Sequence, residues 1–335
     1  MRSTKAEQAR DWGGPVQTVE EAFVREALPP RKIDGHKGDF GKLLIVGGAE
    51  GYTGAPYLTA AAAVRSGCGL VSLGVPAAIW AVEAVKCTSA MPFPLPGSAR
   101  TLTEEMLSAS AGMSSESEAS GSAAHAKALT LDALPEILER LENCDVLALG
   151  PGLGRAVETR RLVLELLQET RRPVVLDADG INALAGAVSV LDARRDRVTI
   201  LTPHDVEFAR IAGVLPDPSR MPERGKAARE FAAAHGCIVV LKGHRTVTAS
   251  PTGNVLINST GNSGLAKGGS GDVLTGLIAS LLCQGATPIR AAAAGVWIHG
   301  RAGDLCAEML TPYAMTPEDV INALPEVFLE LVLNS

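Results

Sequence analysis

The sequence predicts an α/β protein with a mostly parallel central sheet covered by helices on both faces. Short β-branched runs recur along the chain, each ending in glycine or a polar turn: 42–47, 70–75, 145–150, 173–177, 198–202 and 238–242. Continuous apolar runs of this length suit strands buried on both sides. Helical stretches such as Ala55–Ser66, Thr159–Thr170 and Pro222–His235 alternate with them, and strand–helix alternation implies a parallel, doubly covered sheet. The chemically distinctive residues also fall just past the strands, where open α/β sheets place ligands.

Taken in order, residues 1–35 read as a tail with Pro29-Pro30 as a stiff joint, and 36–330 read as one domain. The first strand runs into Gly47-Gly48-Ala49-Glu50-Gly51-Tyr52-Thr53-Gly54-Ala55. Its backbone can approach a phosphate or ribose closely, although an ordinary tight turn explains it too. It is not a G-x-G-x-x-G fingerprint, and the acidic residue due about 20 positions on is missing. The segment Gly97–Lys127, rich in Ser, Ala and Gly, reads as a mobile surface insertion.

Gly150-Pro151-Gly152-Leu153-Gly154 follows the third run. Glycines at 152 and 154 suit either the close passage of a ligand or a packing turn. Asp177 and Asp179 end the next run; they suit a water-mediated divalent metal or the anchoring of a turn. His204 and Glu207 lie three apart just past Pro203 and share one face of a helix start. His204 offers a hydrogen bond to a polar substrate and Glu207 offers to order metal-bound water; a packed histidine is the plain alternative. Lys242-Gly243-His244-Arg245-Thr246 sets cationic side chains at a strand end, as a phosphate clamp or an exposed charge run. Thr246–Ala249 and Val255–Asn258 read as a hairpin.

The strongest single signal is Gly261 to Asp272, which ends in Gly268-Gly269-Ser270-Gly271-Asp272 and feeds the apolar run 273–283. A small-residue loop entering a helix leaves backbone N–H groups free to receive anionic oxygen. A carboxylate there repels a bound phosphate, but it makes sense as a general base for a hydroxyl that attacks phosphorus. Asp is also a favoured helix cap, yet capping does not explain four small residues in succession.

Composition narrows the classes. The 335 residues are 46% apolar with a net charge of −6, which disfavours a nucleic-acid partner. Six scattered cysteines form no C-x-x-C pair and read as buried thiols in a reducing compartment, with a cytoplasmic location expected. The N-terminus lacks the apolar core of a secretory signal, and no run reaches the roughly 20 residues of a membrane span. Walker A, H-E-x-x-H, G-x-S-x-G and kinase H-R-D signatures are absent from the sequence.

Together, the stretches His36–Lys42, Gly51–Ala55, Gly150–Gly154, Asp177–Asn182, Leu201–His204, Lys242–Thr246 and Gly261–Asp272 resemble the ADP- or ATP-dependent NAD(P)H-hydrate dehydratases. These belong to the ribokinase-like superfamily, and the match covers most of residues 36–320. The resemblance implies a ribokinase-like three-layer α/β/α fold. It implies that the hydrates of NADH and NADPH are the substrates, with ADP or ATP as phosphoryl donor and Mg2+ in support. Hydroxide is a poor leaving group, because water's pKa is ~15.7; phosphorylating the C6 hydroxyl converts it to phosphate, which the ring nitrogen can expel. By motif position, Asp272 is the base and the amides of Gly269, Ser270 and Gly271 stabilise the phosphoryl group. Ala55, Gly152, Gly154, His204 and Asp272 contact the hydrate. Lys242, Gly243, His244, Arg245, Thr246 and Gly271 contact the nucleotide, and Glu207 serves the metal. The family's habits imply a homo-oligomer, and the short segment before the match implies a separate hydrate epimerase. Lys267 departs from the small polar residue expected in the loop, so it either meets phosphate or points to solvent. A ribokinase-like kinase for a vitamin precursor shares the Asp272 chemistry and is the competing enzyme reading; a non-catalytic nucleotide sensor would need no base.

Overall fold

The structure, a computed structural model, describes residues 14–98 and 128–333. Its strands are β1 (Val16–Val19), β2 (Lys42–Val46), β3 (Leu70–Pro76), β4 (Met91–Leu95), β5 (Val146–Leu149), β6 (Val174–Leu176), β7 (Thr199–Leu201), β8 (Ile238–Leu241), β9 (Val247–Ala249) and β10 (Val255–Asn258). They form one sheet in the order β1-β10-β9-β8-β7-β6-β5-β2-β3-β4. Every pairing is parallel except the two that β9 makes with β8 and β10.

Side-chain alternation explains the three layers. Along β2, Leu43 and Ile45 join one core cluster, while Leu44 and Val46 join the other. β5 repeats this with Val146 and Ala148 against Leu147 and Leu149. Both faces of each strand are therefore apolar, and both need a covering layer. One layer holds α1 (Glu21–Ala27), α2 (Gly54–Arg65), α10 (Ser270–Cys283), α11 (Pro288–Ala314) and α12 (Pro317–Leu333). The opposite layer holds α4 (Leu134–Leu141), α5 (Val157–Glu169), α8 (Asp205–Ala212) and α9 (Met221–His235). Helix α3 (Ala77–Lys86) and the short α6 (Asp179–Ala183) and α7 (Ser189–Asp192) complete the set.

The strand order reverses between β2 and β5, since β3 and β4 continue on one side and β6 to β8 on the other. Ligands bind beyond the carboxyl ends of the strands at such a switch point. The glycine-rich turns after β2 and β5 meet there: Gly48 N–H donates to the Pro151 carbonyl at 2.8 Å.

Of the residues 1–35 read as a tail, those from 16 to 27 instead pack into the fold. β1 pairs in parallel with β10, Val16 opposite Val255 and Val19 opposite Asn258, and Val24 of α1 is fully buried. Four residues of strand and two turns of helix carry too little periodicity to stand out, and β1 owes its order to the edge that β10 offers. The proposed insertion at 97–127 lies outside the described residues apart from its first two. Its flanks are joined, with Ser98 N–H donating to the Ala128 carbonyl at 2.9 Å. Among the described residues no helix is long and apolar enough to cross a membrane. The six cysteines are free thiols, four of them buried.

One buried group sets a stability prediction. Glu83 of α3 is fully buried, neither of its carboxylate oxygens has a hydrogen-bond partner, and Lys86 Nζ stands 3.9 Å away. Burial pushes its carboxyl up to about 7 against a small opposing pull from Lys86. The folded state therefore holds the proton more tightly than the unfolded chain. The protein loses this contribution as pH rises from the ordinary carboxylate range through about 7. Glu83→Gln is expected to raise Tm at pH 8, corresponding to about 1–3 kcal/mol, with the gain shrinking toward pH 5. Thermal unfolding at both pH values checks this; an equal gain at both would show that the charge is not the cause.

Candidate active site

Helix α10 starts at Gly269, whose φ of 98° lies in the left-handed region that glycine adopts without strain. No side chain caps this helix, so Asp272, its third residue, is not a cap. Ser270 N–H turns back to the Lys267 carbonyl at 3.3 Å. Among the described residues the amides of Gly269, Gly271 and Asp272 have no acceptor, so the open donors flank Ser270 rather than include it. Gly271 sits close against the lysine: a Cβ there would lie 3.2 Å from Lys242 Nζ. The helix start, with its positive dipole end, faces a cavity of about 850 Å³, within the size range of nucleotide and cofactor sites.

Asp177 is the hub beneath this helix start. It is almost fully buried and accepts hydrogen bonds from Thr202 Oγ1 (2.7 Å), Lys242 Nζ (2.9 Å) and Thr275 Oγ1 (2.8 Å). Its three partners come from the ends of β7 and β8 and from α10. Asp177 therefore ties the helix to the sheet. The next residue, Ala178, has φ 49° without being glycine, a strained conformation of the kind that clusters at functional sites. Asp179 turns the other way and accepts from the Gly154 amide at 2.9 Å and from Asn182 at 3.2 Å. Of the two proposed metal carboxylates, one organises the site and the other anchors the neighbouring turn.

Lys242 carries charge into the centre. Its ammonium lies 2.9 Å from Asp177 and 3.8 Å from Glu207. Burial pulls it down, but the charges of Asp177, Glu207 and Asp272 outweigh burial and leave it raised and protonated. Buried Arg224, paired with Asp205 at 2.9 Å, donates to the Lys242 carbonyl at 2.8 Å and holds the end of β8 in place. Past it, Thr246 Oγ1 closes the turn onto the Gly243 carbonyl at 3.0 Å, and exposed His244 and Arg245 line the cavity rim.

Asp272 has the electrostatics of a base. Burial raises its carboxyl, the Asp177 charge raises it further, Lys242 opposes, and the outcome is about 7. No hydrogen bond restrains the carboxylate among the described residues. A base poised near operating pH is what proton abstraction favours. If Asp272 accepts a proton in the reaction, its ionised form is the active one. The value of kcat/KM is therefore expected to climb through about pH 7 and level off above it. A profile flat from pH 5 to 8 would remove Asp272 from the role.

The remaining predicted residues divide. His204 and Glu207 cap α8 reciprocally: His204 Nδ1 accepts from the Val206 and Glu207 amides at 3.1 and 3.3 Å, and Glu207 accepts from the His204 amide at 2.9 Å. His204 still lines the cavity, with its ring half exposed. Ala55, Gly152 and Gly154 do not line it; they belong to the glycine-rich segments after β2 and β5, where a Cβ on Gly152 would lie 3.1 Å from Ala55. Sequence reasoning missed His299 of α11, which lines the cavity yet is 7% exposed. Burial holds its imidazole down to about 4, hence neutral; it bonds the Ser270 backbone, and Nε2 has no partner. A single histidine in an alanine-rich helix gave no signal of this contact.

The sheet order and three-layer packing are those of the ribokinase-like class, and a carboxylate beside open amides at a helix start is an arrangement that can serve phosphoryl transfer. The chain superposes on a ribokinase-like protein from Enterococcus faecalis with a TM-score of 0.71 at 24% identity, covering 94% of this chain and 96% of that one. It is also similar to the ADP/ATP-dependent NAD(P)H-hydrate dehydratase of Bacillus subtilis co-crystallised with ATP and Mg2+, with a TM-score of 0.71, 28% identity, and coverage of 94% and 99%.

The chain belongs to the NAD(P)H-hydrate dehydratase family, whose model matches residues 43–326. It is 42% identical over 313 residues to the bifunctional NAD(P)H-hydrate repair enzyme Nnr of Moorella thermoacetica, covering 92% of this chain and 53% of that protein. It is 37% identical over 280 residues to the ADP-dependent (S)-NAD(P)H-hydrate dehydratase of Neisseria meningitidis, covering 83% and 81%. The chain spans about half the length of the bifunctional relatives it matches.

Proposed function

We propose that this protein dehydrates the hydrates of NADH and NADPH, with ADP or ATP as phosphoryl donor. The observation that carries the reading is the Asp272 carboxylate, raised to about 7 and unrestrained, beside the open amides that begin α10. Family membership and the activity named for the Neisseria relative support it.

In this reading the hydrate's C6 hydroxyl lies against Asp272, which takes its proton as the oxygen attacks the terminal phosphorus. The Gly269, Gly271 and Asp272 amides hold the phosphoryl oxygens as charge develops, and Lys242 faces the same charge. The ring nitrogen's lone pair then expels phosphate from C6, and loss of a C5 proton restores the dihydronicotinamide. The products are NAD(P)H, phosphate and AMP from ADP, or ADP from ATP. The Lys242–Thr246 rim, exposed at Gly243 to Arg245, takes the nucleotide, and the glycine turn at 152–154 with Ala55 takes part of the hydrate.

The donor set indicates how Mg2+ would enter. Among the described residues no three His, Cys, Asp or Glu side chains gather to hold an ion, and Asp177 already serves three donors. The ion would ride on the nucleotide's oxygens and neutralise phosphate charge, with Glu207 reaching it at most through water. The reading also includes a homo-oligomer in the cytoplasm, working together with a hydrate epimerase.

The test is to incubate purified protein with NADH hydrate and either nucleotide, following recovery of the reduced-ring absorbance and release of phosphate. The account expects both, with ADP the better donor. Failure to recover NADH with either nucleotide would overturn it, and a stable phosphoester made from a vitamin precursor would favour the kinase reading.

A further inference from the structure

Lys267 lines the cavity, and its ammonium is turned onto backbone carbonyls behind the loop. Although the residue is exposed, its ammonium donates to the Tyr313 carbonyl at 2.7 Å and the Met315 carbonyl at 2.6 Å. Those carbonyls belong to the last residues of α11 and its C-cap, where the helical path breaks. Thr311 has φ 68° without being glycine, and Pro312 follows. Carbonyls at a helix end lack partners and carry its negative dipole end, and an ammonium with three donors suits two of them at once.

The loop leans on this helix end along its length. A Cβ on Gly264 would collide with Met315, and one on Gly269 would lie 2.9 Å from Pro317. The start of the loop is pinned to α11: Gly261 N–H donates to Asp304 at 2.9 Å, and Asn262 donates to the Gly303 carbonyl at 2.9 Å. The far end, Gly268–Gly271, has almost no side chains with which to anchor itself. Lys267 is the side-chain tether just before it. Its own carbonyl accepts the Ser270 amide, so a displacement of Lys267 passes directly to the helix start.

We infer that Lys267 is a positioning residue, which straps the phosphate-binding loop to the helix end at 311–315 and thereby sets where the Gly269, Gly271 and Asp272 amides stand. Its kinetic consequence rests on the hydrate-repair reading; the strap itself does not.

Lys267→Met removes the donors while keeping the chain's bulk, and Lys267→Arg keeps donors that reach both carbonyls. Hydrogen–deuterium exchange, read on peptides spanning 261–272 and 311–317, reports the strap without any substrate. The expected result is faster exchange in both peptides of the Met variant, with sheet peptides unchanged, and restoration in the Arg variant. In the repair assay the Met variant is expected to lose on the order of 10- to 100-fold in kcat, as small misplacements of catalytic groups do, with the nucleotide KM within about twofold, and Arg is expected to recover most of it. Wild-type exchange in both peptides of the Met variant would overturn the inference. So would an Arg variant that leaves them loosened while its sheet peptides stay protected, or a Met variant with wild-type kcat. If the wild-type protein fails to repair the hydrate at all, the functional reading falls and the exchange comparison still decides the strap.

Discussion

Replacing Asp272 by asparagine is expected to lower turnover by about 10²- to 10⁴-fold, the usual contribution of a positioned base, while adenine nucleotide binds as before. Asparagine matches the carboxylate in size and cannot take the hydroxyl proton. Nothing in the packing opposes the change, because no hydrogen bond depends on that carboxylate among the described residues. Stability gives a signed control. The Asp272 carboxyl is raised by burial to about 7, so the folded state loses stability as pH rises from the ordinary carboxylate range through about 7. The variant's advantage in Tm should therefore be smaller at pH 5 than at pH 8, and vanish below about pH 4. Steady-state turnover, nucleotide titration and thermal unfolding on one preparation make the check; near-wild-type turnover would take the base away from Asp272.

Lys242→Met is the second large effect. It leaves Asp177 buried without its ammonium, with Glu207 and Asp272 nearby. Breaking a buried pair from one side costs about 3–5 kcal/mol, and the lysine's partial exposure places this case at the lower end. Folding stability should fall by about 3 kcal/mol and kcat/KM by about 10²-fold or more, since the cation that faces the phosphoryl group in the proposed reaction goes too. The Asp272 carboxyl, relieved of its one opposing cation, should titrate higher, moving the rising limb of the pH profile to more alkaline values. Adding Asp177→Asn separates the two roles: removing the orphaned charge should restore much of the stability and little of the turnover. Equal recovery of both would show that Lys242 serves only to neutralise Asp177.

These effects concern residues with very different visibility in the sequence. The Gly268–Asp272 loop is legible because its chemistry is local: small residues, then a carboxylate, then an apolar helix. The interior strands are legible for the same reason, as in Leu43 to Val46, where every side chain is buried. β4 is hidden because Met91-Pro92-Phe93-Pro94-Leu95 carries two prolines. They are tolerated because β4 is the outermost strand, paired only with β3, so the missing N–H groups face no second neighbour. The Asp177 hub is illegible because its partners Thr202, Lys242 and Thr275 come from three separate segments. Glu207 did carry an unread signal. A polar residue followed three places later by glutamate is the pattern of a reciprocal helix cap, and that is how the structure uses it.

The proposed repair turns on transfer of phosphorus to the oxygen that leaves. NADH hydrate prepared in ¹⁸O water carries the label at its C6 hydroxyl, and the phosphate released with ADP can be read by ³¹P NMR. Inorganic phosphate bearing one ¹⁸O for each NADH recovered is the expected product. Unlabelled phosphate, with the isotope returned to solvent water, would contradict it.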